Sequence, residues 1–553
     1  MKEQNGTNQS GLDTFEHVVV LMLENRSFDN LLGYLYDDKK GVPKGCKFEG
    51  LQGKTIKMPV PKRAKDFDKH KFVEPREAQD YHQPYPDPGE VYQHVNTQIY
   101  NHVDNHEEVQ GDDPEGNGNI GVEACKMKPP YNIPNPKPTG DKLMKGFVND
   151  YINTLDALGK VKEGKIFNKH TVDYTNPGYD LYNVIMQCFR PEQIPVLTTL
   201  AKDFAVFDHW FCSVPSQTWC NRAFWHAGTS GGEVVNPTDE CGLKEKGEAM
   251  KNWIDKVWSQ PNLFQRMKGK NVTHAVYIQD IFSLTSLVTG LFKDENVRYT
   301  GKRLCRFKRD LRRGRLPQYS FLEPKFLGQH NDQHPSSAAP SIDDGPTRVG
   351  TVLLGERLIY DVYNSIRKSR KYRDKTLFII TYDEHGGCFD HVTPPSAVPP
   401  HPDMVGDKGF KFDRLGVRVP MVMISSFIEK NTIVNDQFDH SSFIKTMCEK
   451  WRMKGLTDRD KKSNSFGHIF SKKKRKWPKI PKPRVPRVKE STYLNDPLND
   501  LQKSILVAAD HLARENQKTT ALFMAEAPAV ENIQTVGDAM KHLKKIKDLI
   551  PGS

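Results

Sequence analysis

The chain has 553 residues, of which 37% are hydrophobic and 27% charged, so it can build a sizeable core and wholesale disorder is excluded. No apolar run approaches the ~18 residues that a membrane-spanning helix needs. The net charge of +12 at pH 7 predicts attraction to anionic surfaces, whether phospholipid, nucleic acid or phosphorylated substrate.

The amino-terminal tail, residues 1–14, is polar and lacks the apolar stretch of a secretory signal. We expect a soluble protein without a classical signal peptide, either cytoplasmic or exported by a non-classical route, and peripheral at membranes. Nine cysteines occur without any C-x-x-C pair, which argues against a zinc ribbon and a compact disulfide scaffold. Mostly free thiols are expected.

Two apolar runs, far apart in the chain, predict strands buried on both faces. Residues 18–23 form the first run and residues 376–382 the second. Oxygen-donor side chains follow at positions 24–25 after the first run and 383–384 after the second. Ligands just past such strands lie where α/β sheets keep their active sites, so the two clusters predict two halves of one metal site.

Residues 15–455 alternate strand-like runs with helical patterns, which predicts a catalytic domain of the α/β class built on a mostly parallel sheet. Between the first strand and Lys142 the chain is rich in Pro, Gly, His and Asp, which favours an insertion or loops that close over the site. Residues 352–368 have helical spacing. Residues 417–424 predict a strand with Pro420 at its start, because proline cannot donate to a ladder.

The carboxyl-terminal part has a different composition. Residues 456–490 predict a basic linker, because prolines interrupt the segment and Lys472 to Lys476 are all basic. A solvated linker is the first interpretation and contact with an anionic membrane the second; the likeness to a nuclear-localisation patch is compositional only. Residues 491–553 have helical apolar spacing and predict a helical extension packed on the body.

A hydroxyl residue, Thr218, precedes the pair Asn221-Arg222 at the start of a predicted helix. A hydroxyl in this position is either a helix cap or a nucleophile. Arg222 could hold an anionic group, and the predicted cation site would help to ionise the hydroxyl and direct it at phosphorus.

Five separated motifs occur in the order found in a known family. They are residues 24–29, Thr218-x-x-Asn221-Arg222, Asp332 to Pro335, Asp383 to Gly387 with Asp390 to Val392, and Asp439 to Ser442. Together they resemble the phospholipase C and acid phosphatase family of phosphoesterases, which is similar in fold to alkaline phosphatases and sulfatases. The resemblance covers about residues 15–452. It implies an alkaline-phosphatase-like central sheet, mostly parallel and flanked by helices, with large loop insertions.

The resemblance also implies roles for individual residues. The metal ligands would be Glu24, Asn25, Asp383, Glu384 and Thr218. Thr218 would also be the nucleophile.

Further residues are implied around the phosphate. The catalytic histidines would be His334 and His94, and the substrate-binding residues would be Arg222, Asn221, His391 and His440. The sequence departs from the family's Gly-Pro-Thr-x-Pro-Asn-Arg pattern, because Ser216, Gln217 and Cys220 replace the glycine and both prolines. A less rigid nucleophile loop is therefore expected.

The expected cofactor is a divalent metal ion, since carboxylate and amide oxygens suit Mg²⁺, Ca²⁺ or Mn²⁺ and do not exclude Zn²⁺. The expected activity is metal-dependent phospholipase C cleavage of glycerophospholipids such as phosphatidylcholine, through a phosphothreonine. The aromatic residues near Thr218 could face a choline head group or belong to the core; they are Trp210, Phe211, Trp219, Phe224 and Trp225.

Two alternatives remain open: an acid phosphatase acting on phosphomonoesters, and a non-catalytic membrane-binding protein. The expected partner is a phospholipid at a membrane surface, bound peripherally. Nucleic acid is not expected, because no base-stacking motif accompanies the positive charge. The oligomeric state is left open.

Overall fold

The computed structural model describes most of the chain. The described residues are 11–37, 41–101, 143–160, 174, 176–237, 248–292, 294–301, 303–335, 351–485, 493–515 and 530–550. Most of the predicted amino-terminal tail, much of the Pro- and His-rich stretch, the end of the predicted linker, Cys125 and Cys241 lie outside them. The described cysteines are all free thiols.

An eight-stranded sheet forms the centre of the protein. Its strands are β1 (His17–Leu23), β2 (Ala205–Phe207), β3 (His274–Ile278), β4 (Val297–Tyr299), β5 (Tyr319–Leu322), β6 (Thr376–Tyr382), β7 (Met421–Ile424) and β8 (Thr432–Val434). Their order across the sheet is β8-β2-β7-β6-β1-β5-β3-β4. Only β7 runs antiparallel to its neighbours, and it begins directly after Pro420. The predicted α/β class, with a mostly parallel sheet, is confirmed.

Helices cover the sheet. They are α1 (Phe28–Leu32), α2 (Tyr92–Tyr100), α3 (Phe147–Lys160), α4 (Tyr179–Tyr182), α5 (Pro195–Asp203), α6 (Thr218–Ala227), α7 (Glu248–Trp253), α8 (Leu263–Lys268), α9 (Leu284–Thr289), α10 (Cys305–Arg313), α11 (Val352–Lys368), α12 (His440–Trp451), α13 (Asp458–Lys462), α14 (Asp500–Glu515) and α15 (Val536–Ile546). No helix within the described residues is long and apolar enough to cross a membrane.

Shorter elements complete the fold. Single helical turns occur at Gly11–Thr14, Asn183–Met186, Ile254–Trp258, Arg373–Lys375, Asp407–Gly409, Gly467–Ile469, Val530–Asn532 and Lys547–Leu549. Two-stranded ribbons pair Met58–Pro59 with Phe72–Val73, Arg76–Glu77 with Gln187–Cys188, and Trp210–Phe211 with Phe438–Asp439.

The register of the two central strands brings the predicted donor clusters together. β1 is fully buried from Val18 to Leu23, because sheet neighbours cover both sides and helices cover both faces. β1 and β6 are parallel, and Leu23 lies opposite Tyr382. The residues that follow both strands therefore leave the sheet side by side at the carboxyl ends of the strands.

The segment after the family-like region packs on the body. Trp477 is buried, with its ring stacked on Tyr363 at 5.3 Å between centroids and lying 5.9 Å from the ring of Phe204. The amide of Arg475 donates to the carbonyl of Ser426 at 2.7 Å. Beyond this segment, α14 packs against α7 and α9, and α15 packs on α14.

Candidate active site

The site begins where β1 and β6 end. The amide of Asn25 donates to Asp383 Oδ1 at 3.3 Å, and the amide of Arg26 donates to the carbonyl of Glu384 at 3.1 Å. Asn25 has a φ of 52°, a conformation that asparagine tolerates better than most residues. These contacts fix the two donor clusters in one buried group, in which Glu24, Asp383 and Glu384 are all inaccessible to solvent.

Thr218, the first residue of α6, points at this group. Its hydroxyl donates to Glu24 Oε2 at 3.0 Å and lies 3.4 Å from Asn25 Oδ1. The amino-terminal end of a helix carries partial positive charge, which favours an ionised oxygen there. The hydroxyl is thus held against a carboxylate that could take its proton, at a position that would stabilise an alkoxide.

The loop before α6 is braced by Asn221, which we expected to contact substrate. Its Nδ2 donates to the carbonyls of Val214 and Ser216 at 3.1 and 2.8 Å, and its Oδ1 accepts from the amide of Val214 at 3.0 Å. Asn221 is fully buried. The side chain of Asn221 therefore holds the backbone of the nucleophile loop through hydrogen bonds.

The three departures from the family pattern each bond to the chain segment 233–236. The hydroxyl of Ser216 donates to the carbonyl of Val234, and Cys220 Sγ lies 3.3 Å from the carbonyl of Glu233. Gln217 Oε1 accepts from the amide of Asn236 at 3.0 Å. These bonds to residues 233–236 restrain the nucleophile loop, which lacks the two prolines of the family pattern.

Arg222 lies between the two donor clusters. Its Nε donates to Asp383 Oδ2 at 3.3 Å, and one terminal nitrogen donates to Glu24 Oε1. The guanidinium carbon lies 5.4 Å from the centre of the Phe326 ring. The other terminal nitrogen has no hydrogen-bond partner among the described residues. Although burial opposes the charge, the two carboxylates raise the pKa of Arg222, so it stays cationic and can meet an anionic group.

Sequence reasoning missed Glu90. Asn25 Nδ2 donates both to Glu90 Oε2 and to His334 Nε2, the latter at 3.0 Å, which turns Asn25 Oδ1 toward Thr218. The available signal was the carboxylate pair in Asp87-Pro88-Gly89-Glu90, which lies in the same segment as the predicted His94. The contact joins residues 65 positions apart, so no local pattern encodes it.

His334 is a neutral imidazole in this arrangement. Its Nδ1 donates to the carbonyl of Pro335 at 3.0 Å, which leaves Nε2 as the acceptor for Asn25. Burial lowers the pKa of His334. Its backbone amide donates to Asp332 Oδ1 at 3.0 Å, and the carbonyl of Asp332 accepts from the amide of Glu24 at 2.8 Å. Asp332 therefore ties the His-Pro loop to the end of β1.

The buried carboxylates fit a divalent cation. Burial, together with their mutual repulsion, raises the pKa of Glu24, Asp87, Glu90 and Glu384 well above the ordinary range. One oxygen each of Asp87, Glu90 and Glu384 has no hydrogen-bond partner within the described residues. Asp87, Glu90 and His334 also offer ligand atoms within 4.8 Å of one another. A bound cation would offset this repulsion and satisfy the unpaired oxygens.

His440, a predicted substrate-binding residue, positions Asp383. Its Nε2 donates to the carbonyl of Asp383 at 2.6 Å, and its Nδ1 accepts from the indole of Trp210 at 3.3 Å. Both ring nitrogens are thereby used and the imidazole is neutral, consistent with burial lowering the pKa of His440. His440 thus holds the backbone of Asp383 in position.

His94 lies on α2 and hydrogen-bonds to α3. Its Nδ1 donates to Asp150 Oδ1 at 2.7 Å. Burial opposes protonation of the ring, but the carboxylate of Asp150 raises the pKa of His94 above its ordinary value. Within the described residues, no hydrogen bond joins His94 to Thr218 or to the carboxylate cluster. His94 is slightly exposed, at 8%.

His391 lies in a separate ion-pair cluster. The buried Arg418 donates to Asp29 and Asp390 at 3.0 Å each. His391 contacts Asp29 through Nδ1 and lies 3.0 Å from Glu49 Oε1 through Nε2. Asp29, Asp390 and His391 could also hold a metal ion by geometry, but the guanidinium of Arg418 already hydrogen-bonds to both aspartates. Among the described residues, no hydrogen bond joins His391 to Thr218.

We expect replacement of His391 by glutamine to change stability more than catalysis. Burial lowers the pKa of His391, but Asp29 raises it further, and the result is a raised value. The charged ring therefore stabilises the fold below the ordinary pKa of 6.5, and this contribution is lost as pH rises through the raised folded value. The H391Q variant should lose about 2 kcal/mol of unfolding free energy at low pH, with a smaller deficit at high pH.

Urea unfolding of wild type and H391Q, at pH values below and above 6.5, would measure the difference in unfolding free energy. His468→Gln is the matched control, because the His468–Asp436 pair is more than half exposed and contributes little. A pH-independent deficit, or a large fall in kcat with unchanged stability, would contradict the assignment of His391 to the ion-pair cluster.

Comparisons with known proteins identify the family of this chain. The chain belongs to the Phosphoesterase family, which matches residues 15–454, and it is a phosphoric ester hydrolase. It is 29% identical over 469 residues to non-specific phospholipase C6 of Arabidopsis thaliana, covering 82% of this chain and 72% of that protein. It is 28% identical over 535 residues to non-specific phospholipase C3 of the same plant, covering 94% and 86%.

Likeness to solved structures is weaker. One is a protein in the alkaline phosphatase superfamily from Vibrio parahaemolyticus, at 14% identity, covering 49% of this chain and 62% of that chain. The TM-score is 0.27, which is too low to support an argument about function.

Proposed function

We propose that this protein is a metal-dependent phospholipase C that cleaves glycerophospholipids, such as phosphatidylcholine, to diacylglycerol and a phosphorylated head group. The observation that carries the proposal is the hydroxyl of Thr218, held at a helix start and 3.0 Å from a buried carboxylate of the oxygen-donor cluster. The names of the plant relatives favour a phospholipid over other phosphoesters.

Thr218 acts as the nucleophile. As its Oγ1 forms a bond to phosphorus, its proton moves to Glu24 Oε2, which already accepts the hydrogen bond of the hydroxyl. Arg222 stabilises the negative charge on the phosphoryl oxygens. The bond from phosphorus to the diacylglycerol oxygen breaks and that oxygen takes up a proton, which leaves the head-group phosphate esterified to Thr218. Water then attacks phosphorus, Thr218 Oγ1 leaves and regains a proton from Glu24, and the phosphorylated head group is released.

The two predicted histidines suit different proton transfers. His94, which is hydrogen-bonded to the carboxylate of Asp150, can donate a proton to the departing alkoxide, and His334, whose Nδ1 donates to the carbonyl of Pro335, can accept one at Nε2 from the attacking water. His334 Nε2 lies 3.0 Å from Asn25 Nδ2 and thus borders the cluster that contains Thr218. A bell-shaped dependence of kcat on pH is the expected signature of such a pair.

The metal would be held by Asn25, Glu90, Asp383 and Glu384, with Glu24 and Thr218 at the edge of the site. When bound, a divalent ion supplies positive charge that lowers the pKa of a hydroxyl and neutralises a phosphoryl oxygen. The donor set is made of oxygens and suits Ca²⁺, Mg²⁺ or Mn²⁺, and Zn²⁺ also accepts carboxylates.

The aromatic residues around Thr218 do not form a head-group pocket. Trp210, Trp219, Phe224 and Trp225 are fully buried, and Phe211 is 2% exposed. They belong to the core, so they cannot explain a preference for choline. The choice between a phosphodiester and a phosphomonoester substrate therefore needs a direct measurement.

That measurement is the release of phosphocholine from phosphatidylcholine vesicles, with p-nitrophenyl phosphate as the monoester control and a chelator in parallel reactions. We expect phosphocholine release that the chelator abolishes and that added divalent metal restores. Turnover of the monoester alone would make the protein an acid phosphatase. Vesicle binding without turnover of either substrate would make it a non-catalytic membrane-binding protein.

A further inference from the structure

The segment at one edge of the central sheet is rich in arginine. Residues 297–316 contain β4 and α10, and Asp310 is the only acidic residue among them. The basic residues of this segment are Arg298, Lys302, Arg303, Arg306, Lys308, Arg309, Arg312, Arg313 and Arg315. A large part of the net charge of +12 is therefore concentrated in one short stretch of chain.

Asp310 does not neutralise the end of α10. It is buried, and its Oδ2 accepts from Arg298 Nη1 at 3.0 Å and from the hydroxyl of Tyr277 at 2.9 Å. Arg306 Nε lies 3.4 Å from the same oxygen. Within the described residues, the ion pairs of α10 are confined to this carboxylate, so the arginines that follow it keep an uncompensated charge.

The packing of α10 turns these arginines toward solvent. Phe307 and Leu311 are buried and lie four positions apart, so they hold one face of the helix against the body. Arg312 and Arg313, which end the helix, are exposed, as is Arg315 just beyond it.

The end of α11 adjoins the turn after α10. Lys371 Nζ donates to the carbonyl of Gly314 at 3.2 Å, and the amide of Leu316 donates to the hydroxyl of Tyr372 at 3.1 Å. These bonds bring further exposed basic residues to the same place, namely Lys368, Arg370 and Lys371.

The predicted basic linker reaches this place as well. Lys474 Nζ lies 2.8 Å from Asp374 Oδ2, and Arg373 Nε donates to Asp374 Oδ1 at 3.1 Å. The exposed linker lysines beside this pair are Lys472, Lys473 and Lys476. Residues 303–315, 368–371 and 472–476 thus form one basic surface.

An exposed aromatic side chain stands at the start of the basic surface. Tyr299 ends β4, the outermost strand, and is 66% exposed. The next residue, Thr300, begins the connection to α10, since its hydroxyl accepts from the amide of Phe307 at 3.2 Å. The apolar ring and polar tip of tyrosine suit the boundary between water and lipid head groups.

We propose, resting on the function proposed above, that the basic surface docks this protein on bilayers that contain anionic phospholipids. Arginine stays charged at physiological pH and binds phosphate oxygens in pairs. An anionic leaflet attracts such clusters of basic residues. Docking keeps the active site near lipid, so anionic phospholipid should raise the turnover of phosphatidylcholine in the same vesicle.

A bilayer fits the basic surface better than a nucleic acid does. Tyr299 is the one exposed aromatic side chain that the structure describes between residues 294 and 316. Binding of a single-stranded nucleic acid uses a series of rings on which successive bases stack. The proposed substrate, in contrast, already lies in a bilayer.

The test compares wild type with full-length R312Q/R313Q/R315Q by vesicle sedimentation. The vesicles contain phosphatidylcholine alone or with phosphatidylserine. Wild type should prefer the anionic vesicles and lose affinity as salt rises, because salt screens exposed charges. The triple variant should bind the anionic vesicles about 100-fold more weakly, since each basic residue at an anionic leaflet contributes about a factor of five.

The matched control is K44Q/K65Q/K69Q. It removes the same charge from three exposed lysines outside the basic surface and should keep the affinity of wild type. Equal losses in both triple variants would show that net charge alone matters, and the proposal would be wrong. Wild-type affinity of R312Q/R313Q/R315Q for the anionic vesicles would also overturn it.

Turnover gives a second readout. Phosphatidylserine should raise phosphocholine release by wild type and not by R312Q/R313Q/R315Q, while both should hydrolyse a monomeric short-chain phosphatidylcholine equally. If wild type hydrolyses no phosphoester, the proposed function fails, but sedimentation still decides the docking surface. If wild type binds duplex RNA more tightly than anionic vesicles at equal ionic strength, and the triple variant loses that binding, the surface is a nucleic-acid site and the proposal fails.

Discussion

Replacement of Thr218 by valine is expected to reduce phosphoester turnover by about 10⁴-fold or more, because it removes the nucleophile and keeps the volume of the side chain. The hydroxyl is buried and directed at Glu24 Oε2 and Asn25 Oδ1. A solvent-exposed group elsewhere on the protein therefore cannot replace it as the nucleophile. Steady-state kinetics on the substrate that wild type turns over best would measure the loss.

Thr218→Ser is the control, because it retains the oxygen and should keep most of the activity. Acid-quenched wild-type enzyme should carry the added mass of phosphocholine from phosphatidylcholine, or of one phosphoryl group from a monoester, on the peptide that contains residue 218, and T218V should not. Comparable kcat in T218V and wild type, at similar Tm, would exclude Thr218 as the nucleophile.

Neutralising a carboxylate of the cluster is expected to have opposite effects with and without metal. Without metal, burial and the neighbouring charge of Asp383 disfavour the ionised form of Glu384, and Glu384→Gln should raise the unfolding free energy at neutral pH. With a divalent ion, wild type gains stability by mass action, and E384Q should gain much less because it loses a ligand. Thermal unfolding with chelator and with each metal would test this: E384Q should be the more stable protein without metal, and wild type should gain more stability when metal is added.

The pH dependence has a definite sign. The folded pKa values of Glu90 and Glu384 are raised above their ordinary value of 4.5. The metal-free protein therefore loses stability as pH rises above about 4.5, since the unfolded chain releases these protons first. E384Q should flatten this slope.

Glu356→Gln separates this effect from ordinary burial of a carboxylate. Glu356 is also buried, with a pKa raised to about 7, but it caps α5 by accepting from the amides of Val196 and Leu197. E356Q should not change the stabilisation by metal. If E384Q and E356Q lose the same share of that stabilisation, the carboxylate cluster is not the metal site.

The sequence by itself determined the two central strands and the donors that follow them. Strand β1 reads as a continuous apolar run because both of its faces are covered, and the donors adjoin each run in the chain. Because each donor pair directly follows its strand in the chain, the donors must lie at the carboxyl edge of the sheet. The order of the motifs was enough to indicate the class of hydrolase. The helix Val352–Lys368 also coincides with its predicted bounds.

Only the tertiary structure decided which side chains meet at the site. Glu90 joins Asn25 across 65 positions, and Ser504 joins Trp219 across 285. It also placed Asn221 against the nucleophile loop and His391 beside Arg418. Such contacts depend on how whole elements pack, and no periodicity or spacing within either segment records them, because a hydrogen bond needs only one donor and one acceptor brought together by the rest of the fold.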